Sequence, residues 1–174
     1  MKALIITGKY VTDCEYSFCL YYLQGEGYTV DVATPDGKDT QGILGEKVRA
    51  TRSIYNGLPS DVDIKDYSIL ILPGGAKAME YLRQDEYVLR IIREFKGTIG
   101  AICHGTQLLI SAGLVKGRAI CGYYSIKDDI INAGGRYPVG DPPFLTDGKI
   151  VTSSHYKHLG HWMKQVLRVA SEQV

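Results

Sequence analysis

The stretch from Gly97 to Gly113 constrains the fold of this chain most strongly. Its sequence is G-T-I-G-A-I-C-H-G-T-Q-L-L-I-S-A-G, which predicts an apolar strand at 98–102, a sharp turn at Cys103 and His104, and a helix from about Thr106 to the end of the stretch. A tight turn between a strand and a helix pushes one side chain up at the edge of the sheet. The stretch therefore predicts a nucleophile elbow that presents a thiol.

Apolar segments and helical segments alternate along the rest of the chain. We expect strands at residues 2–7, 29–33, 68–72, 98–102 and 118–122, and a hairpin of 144–146 with 149–152 around Asp147-Gly148. We expect further helices at residues 13–24, 78–82, 86–95, 126–133 and 159–169, with Asp13 as the cap of the first. Residues 47–54 are expected to form an extended excursion or a hairpin at the sheet margin. This alternation predicts one α/β domain over residues 1–174 with a mainly parallel sheet, whose ligands bind beyond the carboxyl ends of the strands.

The size and the charge of the chain narrow the classes of function. Its 174 residues suit a single domain, and a net charge of +1 with mixed signs argues against binding to nucleic acid or to a membrane surface. No apolar run approaches the roughly 20 residues that cross a bilayer, and the first residues lack the pattern of a signal peptide. We therefore expect a cytoplasmic protein that acts on small molecules or on proteins.

The four cysteines show no paired spacing. They are Cys14, Cys19, Cys103 and Cys121. Without a C-x-x-C pattern, and in a reducing compartment, they argue against a disulfide framework and a zinc knuckle. Cys14 and Cys121 are candidates for a redox partner of Cys103, or they are buried without a function.

Three histidines recur every three residues near the end of the chain, at His155, His158 and His161. No carboxylate or cysteine accompanies them at a spacing typical of metal ligands. We therefore expect no metal site.

Two features near the turn favour a catalytic role for Cys103. The amino end of a helix carries a partial positive charge, which favours thiolate over thiol. The glycine corner at Gly74 and Gly75 follows a predicted strand, so its backbone N–H groups are expected beside the same sheet edge, where with the N–H of His104 they would form an oxyanion hole. The alternative is that Cys103 is a small buried hydrophobic residue, as free cysteines often are.

Two carboxylates and one imidazole are candidate partners for the thiol. Glu15 lies one turn into the first predicted helix, and a carboxyl group shielded from water there would have a raised pKa and could exchange a proton with the thiol. His104 follows Cys103 directly and needs a third group to orient its ring, for which Glu80 of the same or a neighbouring chain is the candidate. For both glutamates the alternative is an exposed carboxylate on a helix surface.

Several motifs, in order along nearly the whole chain, make it similar to the ThiJ/PfpI superfamily, and most closely to its PfpI-type intracellular protease branch. They are M-K-A-L-I-I-T at the start, Glu15 with Gly27 twelve residues on, L-P-G-G at 72–75, A-I-C-H-G at 101–105, Q-L-L-I-S-A-G at 107–113 and I-K-D-D-I-I-N-A-G at 126–134. The resemblance implies a flavodoxin-like three-layer α/β sandwich of the class I glutamine amidotransferase-like type. It also implies a homodimer, often built up into a homohexamer, with the site near a subunit interface.

The same resemblance implies roles for individual residues. The matching residues are Cys103 as the nucleophile, Glu15 as the pocket glutamate, Tyr123 as the pocket tyrosine, Gly75 and His104 as the oxyanion donors, and Glu80 as the carboxylate that orients the histidine from an adjacent subunit. The chain departs from the family at Thr12, where many relatives have an acidic residue, and at Tyr124, where the protease branch has proline. The segment 155–158 also differs from its counterparts, which predicts a remodelled pocket rim.

Three functions are compatible with these residues. The first, which we favour, is a glyoxalase III- or deglycase-like conversion of α-oxoaldehydes such as methylglyoxal, in which Cys103 adds to the carbonyl and Glu15 moves the proton. The second is peptide or amide hydrolysis, with His104 as the base and Glu80 as its orienting group. The third is a redox-sensing stress protein or chaperone, in which Cys103 is oxidised to a sulfinic acid. We expect no cofactor.

Overall fold

The computed structural model describes residues 1–54 and 61–173 of the chain. Its strands are β1 (Lys2–Ile6), β2 (Thr29–Thr34), β3 (Thr40–Gln41), β4 (Lys47–Val48), β5 (Arg52–Ser53), β6 (Ile69–Leu72), β7 (Thr98–Ile102), β8 (Leu145–Asp147) and β9 (Ile150–Ser153). Its helices are α1 (Asp13–Gly25), α2 (Ala76–Leu82), α3 (Glu86–Glu94), α4 (Thr106–Ser111), α5 (Lys127–Asn132) and α6 (Leu159–Ser171). Short 3-10 turns lie at Ile64–Asp66, Cys103–Gly105, Tyr124–Ile126 and Tyr156–His158.

Seven of the described strands form one sheet in the order β5-β2-β1-β6-β7-β9-β8. Every neighbouring pair in it is parallel except β8 with β9, which is antiparallel. The prediction of a mainly parallel sheet is therefore confirmed.

The strands are apolar throughout because helices cover both faces of the sheet. Even-numbered residues of β1 and β6 pack into a cluster with α2, α3 and α4, whereas odd-numbered residues of the same strands pack with α1 and α6. Side chains alternate between the faces of a strand, so each strand contributes to both clusters. The result is the expected flavodoxin-like three-layer α/β sandwich.

The sheet brings the two glycine-rich corners of the sequence together. In the register of β6 with β7, Leu72 pairs with Ala101. Two residues further along each strand, Gly74 and Cys103 therefore lie side by side beyond the carboxyl ends. The loop that leads into α1 also reaches this edge, because the N–H of Thr12 donates to the carbonyl of Gly74 at 3.1 Å.

The hairpin predicted around Asp147-Gly148 is confirmed. Asp147 pairs with Ile150 across β8 and β9, and Gly148 adopts a φ of 60°, in the left-handed region that glycine reaches without strain. Both alternatives for residues 47–54 also occur, since β4 pairs with β3 as a small antiparallel hairpin and β5 extends the edge of the main sheet next to β2.

The strand predicted at 118–122 is wrong. The segment makes a single bridge, between Ala119 and Arg136. Two of its N–H groups donate to side chains, Ala119 to Oδ2 of Asp147 and Cys121 to Oγ1 of Thr152, whereas Ile120 donates to the carbonyl of Arg136. The segment is therefore extended but contributes no strand to the sheet.

The capping role predicted for Asp13 is also wrong. Thr12 occupies the cap position of α1, and the carboxylate of Asp13 instead accepts the N–H groups of Leu44 and Glu46, each at 2.8 Å. A Cβ on Gly42 would lie 2.3 Å from the same carboxylate. Asp13 therefore fixes the loop between β3 and β4 against the start of α1.

We expect Asp13→Ala to lower the free energy of unfolding by about 2–3 kcal/mol, because it leaves two N–H groups without their charged acceptor. Urea denaturation measures this change. Asp128→Ala, which removes an exposed aspartate from the first turn of α5, is the matched control for the loss of a charge near a helix start. Equal losses in the two variants would show that the loop contacts contribute nothing.

Candidate active site

The turn after β7 holds Cys103 in a constrained conformation. Its φ is 58°, one of two positive φ values among the described non-glycine residues. A Cβ on Gly105 would lie 2.1 Å from the carbonyl oxygen of Leu72, so only glycine permits the close approach of the two strand ends. The strand, sharp turn and helix of the predicted elbow are all present.

Gly74 lies between Glu15 and the turn that carries Cys103 and His104. Its N–H donates to Oε2 of Glu15 at 2.6 Å. A Cβ at this position would lie 2.7 Å from that oxygen, 2.9 Å from Cβ of Cys103 and 3.0 Å from the backbone nitrogen of His104. The missing side chain of Gly74 therefore allows the carboxyl group and the thiol to meet. Its N–H donates to Glu15, whereas the N–H groups of Gly75 and His104 face the sulfur of Cys103.

Glu15 is fully buried in the first turn of α1. Its second oxygen, Oε1, has no hydrogen-bond partner among the residues that the structure describes, and the thiol of Cys103 is the polar side chain beside the carboxyl group. Burial raises the pKa of Glu15 to about 7, although the hydrogen bonds from Gly74 and Cys103 favour the ionised form. A carboxyl group of this kind can both hold and release a proton near neutral pH.

Cys103 is 5% exposed, and its burial opposes the ionised form that the start of the helix is expected to favour. Burial, followed by the negative charge of Glu15, raises the pKa of the thiol far above its ordinary value, and the N–H groups of His104 and Gly75 that face the sulfur offset this only in part. Desolvation outweighs the field of the helix end, since α4 has only six residues. A protonated Glu15 no longer repels a negative charge on the sulfur, so proton binding at Glu15 favours the thiolate.

His104 lies on the outer side of the thiol. Its Nδ1 is 3.5 Å from Sγ of Cys103, and its Nε2 is 3.4 Å from Oγ of Ser125. The ring stacks on Tyr123 with 4.7 Å between the centroids. Burial lowers the pKa of His104, so the ring is neutral at pH 7.

The sequence did not predict a role for Ser125, because the expected partner of the His104 ring was a carboxylate. The available signal was its place two residues after the predicted pocket tyrosine, Tyr123. Glu80 is exposed on α2 and makes no hydrogen bond or ion pair with His104 within the described chain. Its action across a subunit interface stays a prediction.

Aromatic rings form the rim beyond Tyr123. His155 lies 6.0 Å from Tyr123, 5.9 Å from Tyr124 and 3.9 Å from Tyr156, measured between ring centroids. Asp141 holds this rim together, because it accepts hydrogen bonds from Tyr124, Ser154 and Lys157 and contacts His158.

The other predicted ligand and redox residues are dispersed. His161 is exposed on α6, and among residues 1–54 and 61–173 no group of three or more histidines, cysteines and acidic residues could hold a metal ion. All four cysteines are free, with Cys14 exposed on α1, Cys19 buried under it, and Cys121 buried against Thr152. Within the same described ranges, no helix is long and apolar enough to cross a membrane.

A buried thiol at a strand–helix turn, next to a protonatable glutamate on a flavodoxin-like sheet, defines the class to which this chain is similar. The model of the DJ-1/PfpI family matches residues 1–169. The chain therefore belongs to the DJ-1/PfpI family, as the motifs of its sequence predicted.

Individual relatives agree with this assignment. The deglycase PfpI of Pyrococcus furiosus is 33% identical over 172 residues, which are 97% of this chain and 99% of that protein. YraA of Bacillus subtilis, provisionally named a cysteine protease, is 37% identical over 155 residues, covering 87% of this chain and 86% of the relative. A two-domain protein from Anabaena variabilis with DJ-1/ThiJ/PfpI-like and ferritin-like domains superposes with a TM-score of 0.88 at 24% identity, and the match covers 96% of this chain and 47% of that one. The chain thus spans about half the length of that structure.

We expect the stability of the protein to fall as the pH rises from about 4.5 to about 7. In this window the native state keeps the proton of Glu15, whose pKa is raised to about 7, while the unfolded chain with an ordinary value of 4.5 releases it. The stabilisation that comes from the retained proton of Glu15 is fully present below pH 4.5 and is lost as the pH rises past 7. The loss amounts to about 3 kcal/mol in the free energy of unfolding.

Urea denaturation at a series of pH values tests this, with Glu15→Gln as the variant that removes the titration. The difference in the free energy of unfolding between wild type and Glu15→Gln should change over the pH range given above. Glu94→Gln, which changes an exposed glutamate on α3, should retain the wild-type profile. A profile unchanged by Glu15→Gln would mean that this carboxyl group does not hold its proton to neutral pH.

Proposed function

We propose that the protein is a cysteine-dependent enzyme that converts α-oxoaldehydes such as methylglyoxal into 2-hydroxy acids, in the manner of a glyoxalase III or deglycase. The observation that carries this proposal is the buried pair of Glu15 and Cys103 at the Gly74 corner, where burial raises the pKa of both groups. Such a pair supplies a nucleophile and a proton carrier in contact with the same carbon atom.

The reaction begins when Glu15 holds the proton and Cys103 is a thiolate. The sulfur adds to the aldehyde carbon, and the oxygen takes the proton from Glu15 to give a hemithioacetal. The Glu15 carboxylate then removes the hydrogen from the same carbon as a proton, giving an enediolate, and returns it to the neighbouring carbon, while the hydroxyl proton passes from the first oxygen to the second. The product is a thioester of the 2-hydroxy acid, in which one carbon has been oxidised and its neighbour reduced.

Water completes the cycle. It attacks the thioester carbonyl, the carbon–sulfur bond breaks, and the acid leaves with Cys103 restored. The oxygen of each tetrahedral species would face the N–H groups of Gly75 and His104, which already point at the sulfur in the resting site. The overall change adds one water to the oxoaldehyde, so no external oxidant or reductant is needed.

Peptide hydrolysis is the second candidate function. It is supported by the 3.5 Å contact between Cys103 and His104 and by the likeness to YraA. Amide cleavage requires an imidazolium to protonate the leaving amine, and a carboxylate normally stabilises that cation. The His104 ring contacts the hydroxyl of Ser125 and no described carboxylate, which favours the carbonyl reaction.

We expect the purified protein to form lactate from methylglyoxal and Cys103→Ala to abolish this activity. Glu15→Gln should lower kcat/KM by about 10²–10⁴-fold, the range typical of a lost general acid–base group. Cys14→Ala, which removes the exposed cysteine next to Glu15 on α1, is the matched control and should leave turnover near the wild-type level. Lactate is followed by an enzyme-coupled assay.

The same preparations should be incubated with casein and with fluorogenic peptides. Cleavage that is lost in Cys103→Ala, together with lactate formation no faster than in that variant, would replace the carbonyl reaction by peptidase activity. Lactate formation that survives Cys103→Ala would refute the role of the thiol.

A further inference from the structure

Both nitrogens of the His104 ring have a polar neighbour. Nδ1 faces the sulfur of Cys103 at 3.5 Å, and Nε2 faces Oγ of Ser125 at 3.4 Å. The stack on Tyr123 holds the plane of the ring.

The group at Nε2 decides where the imidazole proton lies. A hydroxyl can donate to Nε2 or accept from it, and where it donates, the ring proton is on Nδ1. A carboxylate can only accept, and the ring proton is then on Nε2. In the first case the ring donates a hydrogen bond toward the sulfur and stabilises a thiolate. In the second case the lone pair of Nδ1 faces the sulfur and acts as a base toward the thiol.

We propose that Ser125 is the positioning residue of His104, and that its hydroxyl donates to Nε2 and thereby fixes the tautomer whose Nδ1–H donates to the Cys103 thiolate. The inference rests on the proposed function and deepens it, because it assigns the two protons of the resting site. Glu15 holds the proton shared with the thiol, and His104 holds its own proton on the nitrogen that faces the sulfur.

This arrangement selects the class of substrate. A hydroxyl at Nε2 carries no negative charge and therefore does not stabilise an imidazolium. Amides need that cation to expel an amine, whereas addition to an aldehyde followed by proton transfer through Glu15 does not. Ser125 thus directs the thiol toward carbonyl substrates without an amine leaving group.

The titratable groups around His104 are consistent with a neutral ring. They are Cys103 on the turn, Glu15 of α1 behind the thiol, Tyr123 against the ring face, and His155 across Tyr123. The negative charge of the Glu15–Cys103 pair lies on the Nδ1 side, where the proposed tautomer places the N–H.

The tautomer can be read directly by nitrogen–proton correlation NMR of the full chain labelled with ¹⁵N-histidine, with His104 assigned from the spectrum of His104→Gln. Wild type and Ser125→Thr, which keeps the hydroxyl, should show the proton on Nδ1. Ser125→Ala should lose this preference, and Ser125→Asp should move the proton to Nε2. Ser171→Ala, which removes an exposed hydroxyl at the end of α6, is the control and should match wild type.

The rate of Cys103 alkylation by iodoacetamide at pH 7 gives a second readout. Ser125→Ala should react about tenfold more slowly than wild type, which corresponds to a rise of about one pKa unit in the thiol, and Ser125→Thr should restore the rate. A purely structural role of Ser125 would leave the tautomer and the thiol pKa unchanged.

The proposal is overturned if wild type carries the proton on Nε2, if Ser125→Ala leaves the tautomer as it is, or if Glu80→Gln moves the tautomer while Ser125→Ala does not. The last result would assign the orienting role to the carboxylate of a neighbouring subunit. Neither readout uses turnover, so an absence of activity on α-oxoaldehydes would refute the proposed function and leave the assignment of Ser125 to be decided by these spectra and rates.

Discussion

The hydrogen bond from the backbone of Gly74 to the carboxyl group of Glu15 is the contact on which the rest of the site depends. It joins the first turn of α1 to the corner after β6, and it places an acid without a cationic partner, among the described residues, directly beside Cys103. Because the carboxyl group is buried, it keeps a proton near neutral pH. The same burial would be costly if the acid had to remain ionised, so the protonated form of Glu15 is favoured and its charge is coupled to that of the adjacent thiol.

This contact exists because the sheet brings two backbone corners closer than side chains would allow. Cβ atoms on Gly74 or Gly105 would meet Glu15, Cys103 or the Leu72 carbonyl at less than 3 Å. The positive φ of Cys103 is a local strain that the surrounding contacts must overcome. The tight packing of β6 against β7, with helices on both faces, supplies those contacts. Rigidity at the strand ends and reactivity at the thiol therefore have the same structural origin.

The reactivity of the thiol depends on its neighbours more than on its position at a helix start. The partial charge of a short helix does not offset the loss of water around the sulfur. The two N–H groups that face the sulfur lower the pKa of the thiol, whereas burial and the charge of Glu15 raise it. The relatives of this chain include one named deglycase and one provisionally named a cysteine protease.

Local pattern was enough to predict the strands, most helices, the elbow at Cys103 and the hairpin at Asp147-Gly148, because each depends on residues that are close in sequence. The motifs also predicted the family, and the order of strands and helices predicted that Gly74, Glu15 and Cys103 belong to one sheet edge. The pattern failed where a distant side chain decides the outcome. Asp13 accepts hydrogen bonds from a loop more than thirty residues away. Asp147 and Thr152 each accept a hydrogen bond from an N–H group of the segment 118–122, which was expected to form a strand.

The sequence by itself therefore determined the fold class, the family and the identity of the thiol and its acid. Only the tertiary structure decided that burial raises the pKa of Glu15 and of Cys103. It also decided that the N–H of Gly74 donates to Glu15, and that Ser125 contacts Nε2 of His104. The physical reason is that desolvation and hydrogen bonding depend on distances between residues far apart in the chain. The spacing of residues along a sequence does not encode those distances.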